Sequence, residues 1–331
     1  RRGGPLAVTD CNVMLGKLQP QFFPPVFGPN QNEPLDADAV HKKFAALAKE
    51  VEAATGEARS PEEIAEGFLK IAVENMANAI KKISVQRGYD VTEYALQCFG
   101  GAGGQHACLI ADTLGMTKVL IHPFAGVLSA YGMGLADIRA MRERSVEQPL
   151  DEGLLSRLNT ELDGMATEAE KELIRQDVPK DRTEILRKVH IRYDGSDTAL
   201  EVPFGSLDAM SEAFKEAYRS RFGFLMGSKG LVASALSVEA IGRTFDLSVD
   251  DLATRQATPE PMETITAYMA GKSVQAPAYD RDKMAPGQKI KGPAIVVERT
   301  GTNVVEPGWE AEMTAIGNLI LTRVEALPRQ V

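Results

Sequence analysis

Apolar side chains recur every three or four residues between residues 36 and 56, which predicts an amphipathic helix. The residues that hold this spacing are Val40, Phe44, Leu47, Ala48 and Val51. Asp36 or Asp38 can accept the free amide hydrogens of the first turn, and Gly56 can end the last turn. We therefore expect a helix that begins near Asp36 or Asp38 and ends at Gly56.

A second helical pattern follows Ser60-Pro61-Glu62-Glu63. Serine at the cap, proline at the first helical position and Glu63 three residues after the serine form a strong start signal. The predicted buried face consists of Ile64, Phe68, Ile71, Ala72, Met76, Ala79 and Ile83. Gly88 ends this long helix. Residues 1–34, which are rich in Pro, Gly and Asn, are predicted to form an irregular surface segment.

The next segment predicts a strand, a tight turn, a helix and a second strand. The predicted bounds are Tyr94–Phe99 for the first strand, Gln105–Leu114 for the helix and Lys118–Ile121 for the second strand. This order is typical of a parallel βαβ unit with a right-handed crossover. A further helix is predicted from about Val127 to Arg142, with the mixed charges near its end in solvent.

Beyond residue 148 the pattern changes to mixed helices and alternating strands. A helix is predicted at Asp151–Gln176, and its apolar stripe consists of Leu154, Leu155, Leu158, Leu162 and Met165. A hairpin at 184–204, a helix at 207–221 and a strand pair near 231–247 are predicted after it. The final segment, with turns at Pro307-Gly308 and Gly317-Asn318, predicts a small antiparallel β module. We therefore divide the chain into a domain over 1–147 and an α+β domain over 148–331.

Composition narrows the classes of partner. The chain has 331 residues and a formal net charge of −9, which argues against nucleic acid or an anionic membrane as a partner. No apolar stretch has the length of a membrane span. Three cysteines are too few for a disulfide framework and fit a reducing, cytoplasmic environment. His41 and His190 stand apart from other potential ligands, so no metal site is predicted.

The glycine-rich turn is the main candidate for binding chemistry. It consists of Gly100, Gly101, Ala102, Gly103 and Gly104. In a parallel α/β sheet, ligands bind at the carboxyl ends of the strands, and the segment 122–126 is expected at the same edge. Main chain without side chains lets a base, a ribose or a phosphate approach closely. The run matches neither a P-loop nor a dinucleotide fingerprint, so a turn required only by close packing is an equal alternative.

Three separated stretches resemble the hydantoinase A and 5-oxoprolinase family. They are RGGPLAVTDCNVMLGKLQPQFFP, QCFGGAGGQHACLIADTLGMTKVLIHPFAGVLSAYGMGLADIRA and GPAIVVERTGTNVVEPGWEAEM followed by GNLIL. That family is similar to the actin, sugar-kinase and heat-shock ATPases. The resemblance implies an α/β fold comprising half of an actin-like ATPase, with a parallel βαβ core and long helices, followed by a β-rich α+β domain. It also implies that Gly100, Gly101, Ala102, Gly103 and Gly104 pack against the adenosine of ATP.

The family's Asp-Gly-Gly-Thr motifs, which hold phosphates and Mg²⁺, are absent from this chain. The resemblance therefore implies a C-terminal fragment whose missing N-terminal ATPase half supplies the phosphate and Mg²⁺ ligands. The implied activity of the parent protein is ATP-dependent hydrolysis of a cyclic amide, first of all 5-oxo-L-proline. The alternatives are an N-methylhydantoinase, an acetone carboxylase subunit, or a non-catalytic domain that docks another subunit. A hydantoinase B-like subunit or fused domain is an expected partner, and a homo-oligomer is possible.

No catalytic residue is assigned. His106, His122 and Asp10 are weak candidates for substrate contact. The alternatives are a helix-start histidine bonded to the backbone, a histidine that shapes a turn, and a structural cap in a loop, respectively. Cys98 and Cys108 are predicted to be inert core thiols, and Trp309, the one tryptophan, is predicted to fill the core of the β module.

Overall fold

The computed structural model describes residues 4–86, 88–243 and 258–326. The helices are α1 Val8–Met14, α2 Ala37–Thr55, α3 Pro61–Gln86, α4 Ala107–Leu114, α5 Leu128–Leu135, α6 Glu152–Arg175 and α7 Leu207–Phe222. The first strands are β1 Leu96–Cys98, β2 Lys118–Ile121, β3 Ile138–Pro149, β4 Thr183–Tyr193, β5 Leu200–Pro203 and β6 Leu231–Gly242. The last strands are β7 Glu263–Met269, β8 Lys272–Asp280, β9 Lys289–Lys291, β10 Ala294–Glu298, β11 Gly301–Val305, β12 Trp309–Met313 and β13 Leu319–Arg323.

The predicted βαβ unit is present. Strands β1 and β2 pair in parallel, with Gln97 opposite Leu120, and α4 connects them. Gly115 ends α4 in the left-handed conformation, which glycine adopts without a steric penalty. The start of α3 is also as predicted, because Ser60 and Glu63 each accept the other's backbone amide hydrogen.

The five-stranded sheet of the first unit contains strands from both ends of the chain, in the order β1-β2-β13-β12-β9. Strand β13 pairs antiparallel with β2, so that Leu321 lies opposite Val119. Both side chains are fully buried, as is Trp309 on β12, which confirms the predicted core position of the tryptophan. A second sheet of this unit has the order β11-β10-β8-β7.

The second unit is an antiparallel sheet of order β3-β6-β4-β5, with α6 and α7 packed on it. Helix α6 confirms most of the predicted stripe, since Leu154, Leu158, Leu162 and Met165 are buried, while Leu155 is partly buried. The predicted hairpin is also present, with Val189 opposite Val202.

The compact units differ from the predicted boundary at 147/148. One unit comprises Arg1–Tyr131 and Val249–Val331, and the other comprises Gly132–Ser248. The closing β module joins the first unit because β13 extends the sheet that contains β2. Burial of apolar strand faces in one continuous core determines this grouping, and strand order along the chain does not reveal it.

Two local predictions are wrong. The segment 8–14 forms helix α1, with Cys11, Val13 and Met14 buried, so that residues 1–34 are not wholly irregular. The helix predicted over 127–142 ends at Leu135, and Ile138–Pro149 is a strand paired with β6. Arginine, glutamate and methionine favour helix locally, but pairing in the sheet overrides that preference.

Two further details differ from the prediction. The charges near 139–144 belong to β3, where Arg139 forms an ion pair with Glu239 at 2.6 Å. On α3, Phe68, Ile71 and Ile83 are 43, 61 and 58 % exposed, and the buried face is a neighbouring one that includes Ala65, Leu69, Val73 and Ala77. Of the strand pair predicted near 231–247, β6 accounts for Leu231–Gly242, and residues 244–247 lie outside the described residues.

Candidate functional site

The glycine loop, residues 99–104, lies at the carboxyl end of β1 and beside the loop that follows β2. The amide of Gly100 donates to the carbonyl oxygen of Ala125 at 2.7 Å. The two loops predicted to meet at this sheet edge therefore lie side by side.

The outer half of the glycine loop is exposed. Phe99 is 65 % exposed, and Gly100, Gly101 and Ala102 are also in the exposed class. Gly100 has φ +89° and no atom within 4 Å of the position that a Cβ would take. Among the described residues, the amides of Gly101 and Ala102 have no acceptor. This half offers bare main chain and free N–H donors to a ligand.

The inner half of the loop is closely packed. A Cβ on Gly103 would lie 2.9 Å from Cys98 Sγ, and a Cβ on Gly104 would lie 1.9 Å from Asn303 Oδ1. Gly104 is buried. Both interpretations of the glycine run therefore apply: close packing requires its inner glycines, while its outer residues are open.

A turn near the end of the chain lies against both loops, and sequence reasoning missed it. A Cβ on Gly101 would meet the carbonyl oxygen of Thr300 at 2.9 Å, and a Cβ on Gly126 would meet Thr300 Oγ1 at 2.5 Å. Thr300 sits between β10 and β11, so the C-terminal strands form part of the site's wall. The only sequence signal was the third family-like stretch, which contains ERTGTN.

A buried ion pair supports the carboxyl end of β2. Arg281 and Glu298 approach to 2.5 Å with side chains 5 and 8 % exposed. Arg281 also donates to the carbonyl oxygens of Ile121 at 3.0 Å and Gly317 at 3.1 Å. Burial, together with the negative charge of Glu298, raises the pKa of Cys98 to about 11, which supports its interpretation as an inert thiol.

His122 shapes the loop after β2. Its Nδ1 accepts the amide hydrogen of Phe124 at 3.0 Å, and its ring lies 5.0 Å from that of Tyr131. Burial and the charge of Arg281 lower the pKa of His122, so the ring is neutral at pH 7. The geometry is that of a turn-forming residue that stays partly exposed near the glycine loop.

His106 and Asp10 do not lie on the exposed half of the glycine loop. His106 is 6 % exposed at the cap of α4, and burial, with a smaller effect of Lys17, lowers its pKa to about 4. Asp10 Oδ2 accepts the amide hydrogen of Ala7 at 2.7 Å and so caps α1. Asp10 therefore has the contact of a structural cap, whereas His106 lies at the helix start but forms no side-chain cap hydrogen bond.

Beneath the inner half of the loop lies a group of buried polar side chains that we call the sub-loop cluster. Its members are Asn12, Lys17, Gln105, His106, Asn303 and Glu306. Of these, the sequence singled out only His106 as a candidate for substrate contact. The available signal was that all six occur in the three family-like stretches.

Other site classes lack support in the described part of the chain. There, no group of three or more His, Cys, Asp or Glu side chains could hold a metal ion. No helix within 4–86, 88–243 and 258–326 has the length and apolar character needed to cross a bilayer. Two cavities of about 550 and 490 Å³, which include Arg192 and Tyr268 respectively, have no residue of the glycine loop in their lining.

Two family models match the chain. The Hydantoinase/oxoprolinase model matches residues 1–142, and the Hydantoinase/oxoprolinase C-terminal domain model matches residues 151–320. The chain belongs to the hydantoinase/oxoprolinase family. The family suggested by the three sequence stretches is thereby confirmed.

Relatives within the hydantoinase/oxoprolinase family include two proteins named 5-oxoprolinase. The protein from Dictyostelium discoideum is 35 % identical over 95 % of this chain, and 5-oxoprolinase 1 of Arabidopsis thaliana is 34 % identical over 96 %. This chain covers 25 and 26 % of those relatives, so it spans about a quarter of their length. The caprolactamase subunit alpha of Pseudomonas jessenii is 28 % identical over 80 % of this chain.

Two solved structures share the fold. An ATP-dependent caprolactamase from Pseudomonas jessenii matches with a TM-score of 0.71 and 26 % identity, over 96 % of this chain and 47 % of that one. A nucleotide-free acetone carboxylase matches with a TM-score of 0.82 and 19 % identity, over 96 % of this chain and 46 % of that one. The predicted fold class, an α/β fold with half of an ATPase-like fold followed by a β-rich domain, is confirmed.

Proposed function

We propose that this chain forms the adenosine side of the nucleotide site in an ATP-dependent cyclic amide hydrolase, and that the substrate of the whole protein is 5-oxo-L-proline. The observation that carries the proposal is the exposed outer half of the glycine loop. There Gly100 leaves room for a flat ligand, and the free amides of Gly101 and Ala102 can donate to it. The family membership and the relatives named 5-oxoprolinase support the reaction class.

The reaction explains the need for ATP. An unstrained lactam is a poor electrophile, and ATP supplies a phosphoryl group that activates the carbonyl oxygen for ring opening by water. The proposed overall reaction converts 5-oxo-L-proline, ATP and two molecules of water to L-glutamate, ADP and phosphate. In this proposal Gly100–Ala102 seat the nucleoside, while Phe99 and Phe124, 65 and 48 % exposed, flank the seat. The Mg²⁺ and phosphate ligands belong to other parts of the protein, and the reaction takes place in the cytoplasm.

The nucleotide site is tested by titrating the 331-residue chain with ADP. Ala102→Leu adds bulk to an exposed position, so the fold should be unaffected while ADP affinity falls at least tenfold. The matched control is Ala54→Leu on the exposed surface of α2, which should bind ADP like the unmodified chain. Equal binding by both variants, or no saturable binding by the unmodified chain, would contradict the proposed seat.

The substrate is tested in a polypeptide of the relatives' length that contains this chain. ATP-dependent release of glutamate from 5-oxo-L-proline is the expected result. Turnover of caprolactam, N-methylhydantoin or acetone in its place would assign one of the alternative activities. Caprolactam is a realistic competitor because a caprolactamase is among both the sequence relatives and the solved structures.

The exposed apolar residues of α3 support a partner. Because this chain spans a quarter of the length of its 5-oxoprolinase relatives, we assign Phe68, Ile71 and Ile83 to contacts with the remaining ATPase half. Phe68→Gln with Ile71→Gln should leave the 331-residue chain folded and destabilise only the longer polypeptide. Equal loss of stability in both would show that these side chains pack within this chain.

A further inference from the structure

The sub-loop cluster joins three segments that are far apart in sequence. Asn12 Nδ2 donates to Gln105 Oε1 at 2.8 Å, across 93 positions. Lys17 Nζ lies 2.5 Å from Glu306 Oε1, across 289 positions, with side chains 3 and 5 % exposed. Both contacts are buried, so the ends of α1, the start of α4 and the end of β11 are tied together under the loop.

Stability alone does not account for this cluster. Desolvation of two charges can outweigh their attraction, and a well-packed apolar pair at the same place is often equally stable or more so. A buried hydrogen-bonded network does fix the relative positions of its residues, because each donor and acceptor tolerates only a narrow range of partner positions. The cluster is therefore suited to fixing where the backbone above it lies.

The backbone above the cluster is the inner half of the glycine loop. Gln105 and His106 belong to the cluster and directly follow Gly104. Asn303 lies so close to Gly104 that its Oδ1 would be 1.9 Å from an added Cβ. A shift of the cluster must therefore move Gly103–Gln105, and with it the outer half of the loop.

Three cluster atoms have no partner among the described residues: Asn12 Oδ1, His106 Nδ1 and Asn303 Nδ2. Each belongs to a side chain that is at least nine-tenths buried. Buried polar atoms of this kind are usually satisfied by internal water. The cluster therefore has hydrogen-bonding capacity beyond the two pairs that join its segments.

We propose that the Lys17–Glu306 ion pair and the Asn12–Gln105 hydrogen bond are positioning residues for the nucleotide seat. They hold the inner half of the glycine loop in place and so set the geometry of Gly100–Ala102 without touching the ligand. This inference rests on the proposed nucleotide site. It assigns a role in binding to residues of the opening and closing segments.

The test separates placement from stability. Lys17→Met with Glu306→Leu removes both charges together, and urea unfolding followed by Trp309 fluorescence should show a nearly unchanged midpoint. ADP affinity is expected to fall at least tenfold. Asn12→Leu with Gln105→Met removes both amides of the buried hydrogen bond together and is likewise expected to lower ADP affinity at least tenfold. Unchanged affinity in this variant would contradict the role of the Asn12–Gln105 bond. Val73→Ala, a cavity in α3, is the control that loses stability but keeps its affinity.

Hydrogen exchange of the peptide over 96–108, measured without nucleotide, gives an independent readout. The double replacement at Lys17 and Glu306 should speed exchange there, and the surface variant Ala54→Leu should not. Unchanged hydrogen exchange and unchanged ADP affinity in the charge-free variant would overturn the inference and leave the proposed function standing. Faster exchange in a chain whose unmodified form binds no ADP would support placement and overturn the nucleotide assignment.

Discussion

Gly104 is the position in the glycine loop where a single methyl group should do the most damage. A Cβ there would lie 1.9 Å from Asn303 Oδ1, 2.9 Å from its Cγ and 3.1 Å from its main chain. Asn303 is 2 % exposed, so its side chain cannot turn into solvent. Its main chain is equally fixed, because it belongs to β11, which is paired with β10. Gly104→Ala must therefore strain either the loop or the sheet.

The expected size follows from two opposing effects. Overpacking a filled site costs about 1–3 kcal/mol, and the close approach at Gly104 places it near the upper end. Replacing glycine by alanine also restricts the unfolded chain, which offsets about 0.4–1 kcal/mol. The net loss in the free energy of unfolding is therefore about 2 kcal/mol.

Urea unfolding monitored by tryptophan fluorescence measures this loss in the structural unit that contains the glycine loop. Trp309 is the one tryptophan and is fully buried in the unit that contains the loop. With a slope of about 2 kcal/mol per M, the Gly104→Ala midpoint should fall by about 1 M. The matched control is Gly67→Ala within α3, where no atom lies within 4 Å of the added Cβ. It should raise the free energy of unfolding by about 1 kcal/mol, because alanine is the better helix former.

Two results would contradict a clash between Asn303 and a side chain at position 104. Gly104→Ala would contradict it by unfolding at or above the midpoint of the unmodified chain. The second check adds Asn303→Ala, which removes the two closest atoms and should recover part of the loss. Strict additivity of the two changes would show that Asn303 is not what excludes a side chain at Gly104.

Three further predictions concern charge and reactivity. The lowered pKa of His106, about 4 against an ordinary 6.5, means that the unfolded chain binds the proton more tightly. The contribution of His106 to the free energy of unfolding should therefore rise by up to about 3 kcal/mol between pH 4 and 6.5 and stay constant at higher pH. His106→Gln should remove this rise in urea titrations made at a series of pH values. The same dependence of stability on pH in the variant and the unmodified chain would contradict the prediction. Burial raises the pKa of both Cys11 and Cys98 to about 11 and that of Cys108 further. A disulfide reagent at pH 8 should therefore label none of these thiols until urea is added, and rapid labelling of the folded chain would contradict the prediction. Arg281→Met leaves Glu298 buried without its cation and should lower the free energy of unfolding by about 3–5 kcal/mol. The double variant Arg281→Met with Glu298→Leu should recover most of this loss. Equal losses in the single and double variants would rule out the unpaired charge as the cause.

The local elements were predictable where the signals along the chain agreed. The start of α3 at Ser60–Glu63, the stripe of α6 and the β1–α4–β2 unit follow from capping residues, helical spacing and strand length. The edge of the sheet that carries the glycine loop followed from the same reasoning. These features depend on neighbouring residues, which a sequence displays directly.

The missed features depend on contacts between distant residues. On α3, two adjacent faces are apolar, and the tertiary fold buries the one containing Leu69 and Val73 rather than the one containing Ile71. The sub-loop cluster was missed for the same reason, since Lys17 and Glu306 are 289 positions apart. Hydrophobic periodicity and capping residues do not predict which distant segment of the chain a side chain contacts.

The pairing of β2 with β13 has a consequence for how the protein is made. Ile121 leaves the ribosome long before its partner Leu319. At about 5–20 residues per second, the interval lasts on the order of 10–40 s. During that time β2 presents an open edge and the apolar faces of Val119 and Ile121, while the whole second unit is being synthesised. Nascent chains stalled after the second unit should therefore recruit chaperones until the last strands emerge.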